Sequence, residues 1–126
     1  MPQLPTDAPP GVITEKDGYL RLTLVGQSSR GMLLRALSQV IAETKSRNIW
    51  RVLCDASALA APVGTSEKFE IGVELARAAD RRMIMAVFAR AELVDYFFET
   101  VARNRGASVR VFTHESTALQ WLFSIR

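Results

Sequence analysis

The chain has 126 residues, enough for one domain with its own core and too few for two. Hydrophobic residues make up 48% and charged residues 23%, which excludes a disordered chain, and no apolar run reaches the roughly 18 residues of a membrane span. Sixteen basic residues against thirteen acidic ones leave a net charge of +3, but the signs are mixed along the chain, so the one-sided basic stripe of a nucleic-acid binder is not expected.

Residues 1–11 hold four of the five prolines and end in a glycine, and they read as a flexible tail. They have no apolar segment of the kind a signal peptide carries, so a cytoplasmic address is expected. A first strand is predicted from Gly11 to Glu15. Asp17-Gly18 then signals a hairpin with a type I′ turn. The second strand, Tyr19 to Val25, alternates Leu20, Leu22 and Leu24 with Arg21 and Thr23, the period of a sheet with unlike faces.

Gly26 to Ser29 breaks the strand and offers a helix cap. The first helix is expected from Arg30 to Arg47, burying Leu33, Leu37, Val40, Ile41 and Thr44 and stopping at Asn48. Ile49 to Cys54 reads as the third strand, and residues 55–65 as a long connection in which Pro62 and Gly64 argue against regular structure. Thr65 or Ser66 is expected to cap a second helix that buries Phe69, Gly72, Val73 and Ala76, with Glu67 in its first turn.

Met83 to Phe88 is a continuous apolar run, as in a strand covered on both faces. A third helix is predicted over Ala91 to Asn104, with Val94, Phe97, Phe98 and Val101 inward and Gly106 as its left-handed stop. Tyr96, Phe97 and Phe98 cannot all point inward at about 100° per residue, and Tyr96 is the one assigned to a rim. Val109 to Phe112 is the fifth strand. Thr113 is expected to cap a last helix with Ala118, Trp121, Leu122 and Ile125 inward. The order β-β-α-β-α-β-α-β-α describes a single α/β domain over 12–126. Its five-stranded sheet is mixed and mostly parallel, because helical crossovers separate strands two to five.

Three segments resemble the STAS domain (sulphate transporter and anti-sigma-factor antagonist), in its antagonist-like bacterial branch, which is also compared with CRAL-TRIO lipid-binding domains. They are Arg51 to Ser57, Ala86 to Leu93, and Asn104 to Phe112 continued by Ala118 to Leu122. The resemblance covers nearly the whole chain after the tail and implies a regulatory binding module. Antagonists of that branch carry a phosphorylated serine at the start of the second helix, in a loop like Asp-Ser-Ser-Gly. Thr65 and Ser66 stand at the matching place here, without the preceding aspartate and following glycine.

Ligands of open α/β sheets gather at the carboxyl ends of the parallel strands. That rim supplies the candidate ligand residues Ser28, Asp55, Ser57, Arg90 and His114, and the resemblance adds Thr65 and Ser66 as candidate switch residues. Each has a plainer reading. Asp55 after a strand commonly bonds nearby backbone N–H groups, Ser57 has no histidine beside it in sequence, and His114 suits the polar start of a helix. No catalytic residue is assigned.

One His and one Cys are too few for a zinc site, and Gly26, Gly64 and Gly72 form no phosphate-binding fingerprint, so neither metal nor cofactor is expected. Cys54, the sole cysteine, permits no intramolecular disulfide and reads as a buried hydrophobe. The first expectation is a non-enzymatic module that binds a protein partner or itself as a homodimer, through apolar residues such as Leu59, Val63 and Tyr96. The alternative is a carrier of a small apolar ligand or lipid with a pocket at the rim near 55–65. An enzyme using Asp55, Ser57 or His114 ranks last.

Overall fold

The computed structural model describes residues 11–26, 28–60 and 63–125. Its first strand, β1 (Gly11–Lys16), pairs antiparallel with β2 (Tyr19–Gly26) through a two-residue turn. Gly18 alone in that turn has positive φ, at 81°, so the turn is not the type I′ expected from Asp17-Gly18, which requires both central residues left-handed.

Helix α1 (Arg30–Arg47) starts on Ser29, whose hydroxyl accepts the Met32 N–H at 3.2 Å. It ends on Asn48, left-handed at φ 54°, whose N–H reaches the carbonyls of Lys45 and Thr44. Strand β3 (Arg51–Leu59) follows. It begins two residues later than predicted and runs five residues further, so 55–59 is strand rather than connection. The reason is pairing: Thr23 to Gly26 on β2 and Phe88 on β4 give these residues ladder partners that no local signal reveals. Pro62 lies outside the described residues.

Helix α2 (Thr65–Ala78) is entered from Gly64, and no side chain caps it, so neither Thr65 nor Ser66 takes the expected capping role. Its buried face is Ile71, Gly72 and Leu75. Phe69, expected inward, is exposed and lies under the Arg105 guanidinium at 5.1 Å. Strand β4 (Ile84–Phe88) is shorter than predicted by one residue.

The predicted third helix is broken. A single 3-10 turn covers Ala91–Leu93, and α3 spans only Phe97–Asn104. Two features make the break. Asp95 accepts the Phe97 N–H at 3.1 Å, an aspartate turn that competes with helix, and Tyr96 sits left-handed at φ 62°. Phe97 is left exposed, Val101 is buried as expected, and Glu99 and Ala102 are buried with it. Gly106, just past the end of α3, takes the expected left-handed conformation at φ 99°. Strand β5 (Ser108–Phe112) leads to α4 (Glu115–Ser124), preceded by His114 rather than capped by the Thr113 hydroxyl, which contacts the His114 ring.

The strands lie in chain order, β1-β2-β3-β4-β5, with β2 to β5 parallel. Each crossover therefore moves one strand in the same direction, and right-handed connections put all three crossover helices on one face. There Leu22, Leu24, Val52, Cys54, Met85 and Val109 meet Leu37, Val40 and Ile41 of α1, Leu75 of α2 and Ala102 of α3. The alternate residues Leu53, Ile84, Ala86 and Phe88 turn the other way and pack on Ala118 and Leu122 of α4.

Gly72 lets α2 and α3 approach. A Cβ there would stand 3.0 Å from Val101 Cγ1 and 3.2 Å from the Phe98 carbonyl oxygen.

Candidate functional site

The structure divides the predicted site residues between two places. The first is an apolar pocket of about 180 Å³ at the carboxyl ends of β2, β3 and β4, on the face covered by α1 to α3. Its walls come from strand residues such as Leu24, Ala56 and Val87, from Leu33 and Ala36 of α1, and from the segment Leu93 to Tyr96. The space exists because Ala36, Cys54, Ala56 and Ala89 are small where the layers meet. Ser28 lines it. Leu59 and Val63, expected as exposed contact residues, are half-buried in its wall. At the mouth, Lys68 pairs with Asp95. That hydrogen bond holds the Asp95 carboxyl below its usual range; partial burial opposes the shift and the Phe97 N–H adds to it. Tyr96, assigned to a rim from sequence, is 50% exposed there.

Arg90 lies on the same rim and donates to the carbonyls of Leu59 at 3.0 Å and Ala60 at 3.4 Å, tying the end of β3 to the turn after β4. Thr65 and Ser66 are exposed on the first turn of α2, and the Ser66 hydroxyl donates to Glu67 at 3.3 Å.

The second place is on the opposite face, beside α4. Asp55 accepts Arg21 at 2.7 Å, the Ser57 N–H at 3.0 Å and the Ser57 hydroxyl at 2.5 Å. Arg21 also pairs with Glu115 at 2.7 Å, and its guanidinium lies 5.7 Å from the Phe88 ring centre. Burial would raise the Asp55 pKa, but the hydrogen bonds from Ser57 and then Arg21 outweigh it and hold the carboxyl below its usual range. An ionised carboxylate saturated in this way is a poor general acid or base. The Ser57 hydroxyl is spent on Asp55, and the His114 ring meets the Thr113 hydroxyl rather than Asp55 or Ser57, while the Thr117 hydroxyl donates to the His114 carbonyl.

Cys54 points to the pocket face. Burial, with the Asp55 charge next to it, pushes its thiol up to about 12, so it is an inert lining group. Among the described residues no group of three or more His, Cys, Asp or Glu is placed to hold a metal, and no helix is long and apolar enough to cross a membrane.

Arg21, Lys68 and Asp95 escaped the sequence reading, whereas Glu115 lies at the end of the rim segment 113–115. Arg21 carried a usable signal, a cation on the strand face opposite three leucines, but finding its partner needs the register that sets Thr23 beside Asp55. Lys68 and Asp95 are 27 residues apart and meet only through the packing of α2 on the segment before α3.

No family model matches the chain, and no curated protein sequence matches it. Solved structures do. An anti-sigma factor antagonist from Mycobacterium paratuberculosis superposes with a TM-score of 0.64 at 14% identity, over 90% of this chain and 92% of that one. An uncharacterised protein with a SpoIIAA-like fold from Shewanella loihica superposes with a TM-score of 0.51 at 16% identity, over 89% of this chain and 91% of that one. At such identities the likeness establishes architecture alone, and the architecture is that of a STAS-like domain.

Proposed function

We propose that this chain is a non-enzymatic regulatory module of the bacterial cytoplasm that acts by binding a protein partner or a second copy of itself. Its contact surface is the rim where α2 begins and the 93–97 segment crosses the pocket mouth. The observation that carries this reading is the pair Tyr96 and Phe97, two aromatics 50% and 36% exposed, with Tyr96 held left-handed. A bulky residue at positive φ persists only where its surroundings over-determine it, and such positions cluster at functional sites. Aromatics are also the residues interfaces favour at their centres. Ser28, Thr65, Ser66 and Arg90 border this rim, and the two hydroxyls of α2 are open to a modifying enzyme. The likeness to an anti-sigma factor antagonist supports a protein as the partner. The saturated Asp55 and the separation of His114 from it support a role without catalysis.

Native mass spectrometry and sedimentation of the wild type, Tyr96→Asp and Phe97→Asp test the surface. Expected is a dimer or a copurifying complex that both variants weaken by about tenfold or more, with unchanged circular dichroism. Association unaffected by Tyr96→Asp overturns the surface. Ser66→Asp is expected to alter association as a phosphate would; no change removes the switch.

The apolar pocket favours a second reading, a small-ligand carrier, because its hollow lies among buried leucines and a methionine rather than at a polar cleft.

A further inference from the structure

We infer that the rim pocket takes a neutral, compact apolar molecule, about the size of one aromatic ring or a six-carbon chain, and rejects both long acyl chains and carboxylates. This specifies the ligand reading above and rests on it. Size, lining and mouth chemistry all lead to it.

The volume is about 180 Å³. An engineered cavity of about 150 Å³ lined by Leu, Ile and Phe stays dry and binds benzene, whereas pockets for drug-sized ligands run to about 300–1,000 Å³. This pocket is close to the first and well short of the second, so a long acyl chain would leave most of its length in water.

The floor is Leu22, Leu24, Cys54, Ala56, Met85 and Val87. None of these is charged, and Cys54 stays a neutral thiol. A polar group driven onto this floor would lose its water and find no polar side chain among these six, at a cost of a few kcal/mol. An apolar body loses nothing there and fills space the protein leaves empty.

The mouth decides the charge of the ligand. Lys68 and Asp95 both line it and are paired with each other. A carboxylate seeking Lys68 must either displace Asp95 or share one ammonium with it, and in both cases two anions stand beside a single cation. An ammonium seeking Asp95 meets the same obstacle in reverse. A neutral molecule passes the pair without breaking it, and the half-exposed Tyr96 ring gives it an apolar edge to slide past. The hollow between α1 and α2 differs in kind, since Arg30, Glu70, Glu74 and Arg77 line it.

Methionine methyl resonances report occupancy. Met85 lines the pocket; Met83 does not, although both border a separate hollow near Arg105. The full-length protein is titrated with benzene, 1-hexanol, hexanoate and palmitate. Benzene and hexanol should shift Met85 saturably and leave Met83 unmoved. Hexanoate should bind about tenfold or more weakly than hexanol, and palmitate should not compete with benzene. Asp95→Asn, which releases Lys68, should narrow the gap between hexanoate and hexanol. Ala56→Leu should fill the pocket and weaken benzene about tenfold or more. Should Ala56→Leu fail to fold, Ala89→Leu tests the same point from the half-buried edge. Hexanoate or palmitate binding more tightly than the neutral probes overturns the ligand class while the carrier reading stands. No Met85 shift with any of the four probes overturns both.

Discussion

The two faces of the sheet are covered by different means. On one face three helices supply a continuous apolar layer, yet they leave a hollow at the carboxyl ends of the strands. On the other a single ten-residue helix covers β3 to β5 with a smaller apolar contact, supplemented by charge: Arg21 reaches from β2 to Asp55 on β3 and Glu115 on α4. The ion pairs stand where the apolar cover runs out, and the hollow stands where apolar cover is plentiful but its side chains are small. Spare apolar volume therefore appears on the better-covered face, and the face short of hydrocarbon is the one tied by charge.

The largest effect should come from breaking the thinner layer. Leu122 is fully buried between α4 and the sheet, and Leu122→Ala is expected to cost about 2–5 kcal/mol. Leu33→Ala, at the wall of the existing pocket, should cost less than Leu122→Ala, because its side chain is already only partly surrounded. Denaturant titration of both decides. Equal losses would mean that the two faces do not differ in how tightly they are packed.

Gly72→Ala probes the thicker layer at its closest approach. Alanine favours helix by about 1 kcal/mol over glycine, but here the new methyl meets Val101 and a backbone carbonyl that cannot yield. A net loss of about 1–2 kcal/mol is expected. A gain in stability would show that α2 and α3 slide apart freely.

Asp55→Asn tests the ionic tie. Hydrogen bonds to charged groups are worth about 1.5–3 kcal/mol, and the variant should lose an amount near the lower end, since Arg21 keeps Glu115. The pH dependence carries a sign. The folded carboxyl of Asp55 lies below its ordinary value of about 3.9. Its contribution is complete above that value and is lost as pH falls through the lower folded one. The gap between wild type and Asp55→Asn should thus be constant near neutrality and shrink below about pH 4. A gap that ignores acid would remove the charge from the explanation. Glu115→Gln should cost less, about 0–1 kcal/mol, because Glu115 is 44% exposed.

What was legible in the sequence follows from the range of the forces involved. Alternating leucines in β2, the apolar run of β4 and the stop at Asn48 are local patterns, and they appear where expected. The extension of β3 to Leu59 depends on partners some thirty residues away in both directions, so a segment of alanine and serine read as loop. The break before α3 is local but subtle: Asp95 competes for the Phe97 N–H, and helical periodicity through 94–101 masks it. Five of the seven candidate residues flank strand ends, while Thr65 and Ser66 follow from the resemblance, and the strand-end rule cannot tell the two faces apart. It put Ser28 beside the pocket and Asp55 and Ser57 on the opposite side of the sheet. The pocket itself was legible only as a rim. Its volume comes from small residues on four separate elements, which no single stretch displays.

The smallest stability effect belongs to the residue with the most to say about function. Tyr96 holds φ 62° and keeps half its surface in water. A left-handed residue other than glycine costs about 1–2 kcal/mol, and asparagine tolerates that region best among the residues that carry a side chain. Tyr96→Asn should relieve part of the strain while giving up a partly exposed ring, so the two effects oppose and stability should change by less than about 0.5 kcal/mol. A tyrosine kept here for the fold alone would show a clear loss. A tyrosine kept for what it touches would leave the melting curve in place and remove the association that Tyr96→Asp also removes, without introducing a charge. Because the asparagine variant separates the ring from the repulsion of an added carboxylate, it assigns the contact to the aromatic surface at the pocket mouth, where the strained backbone presents it.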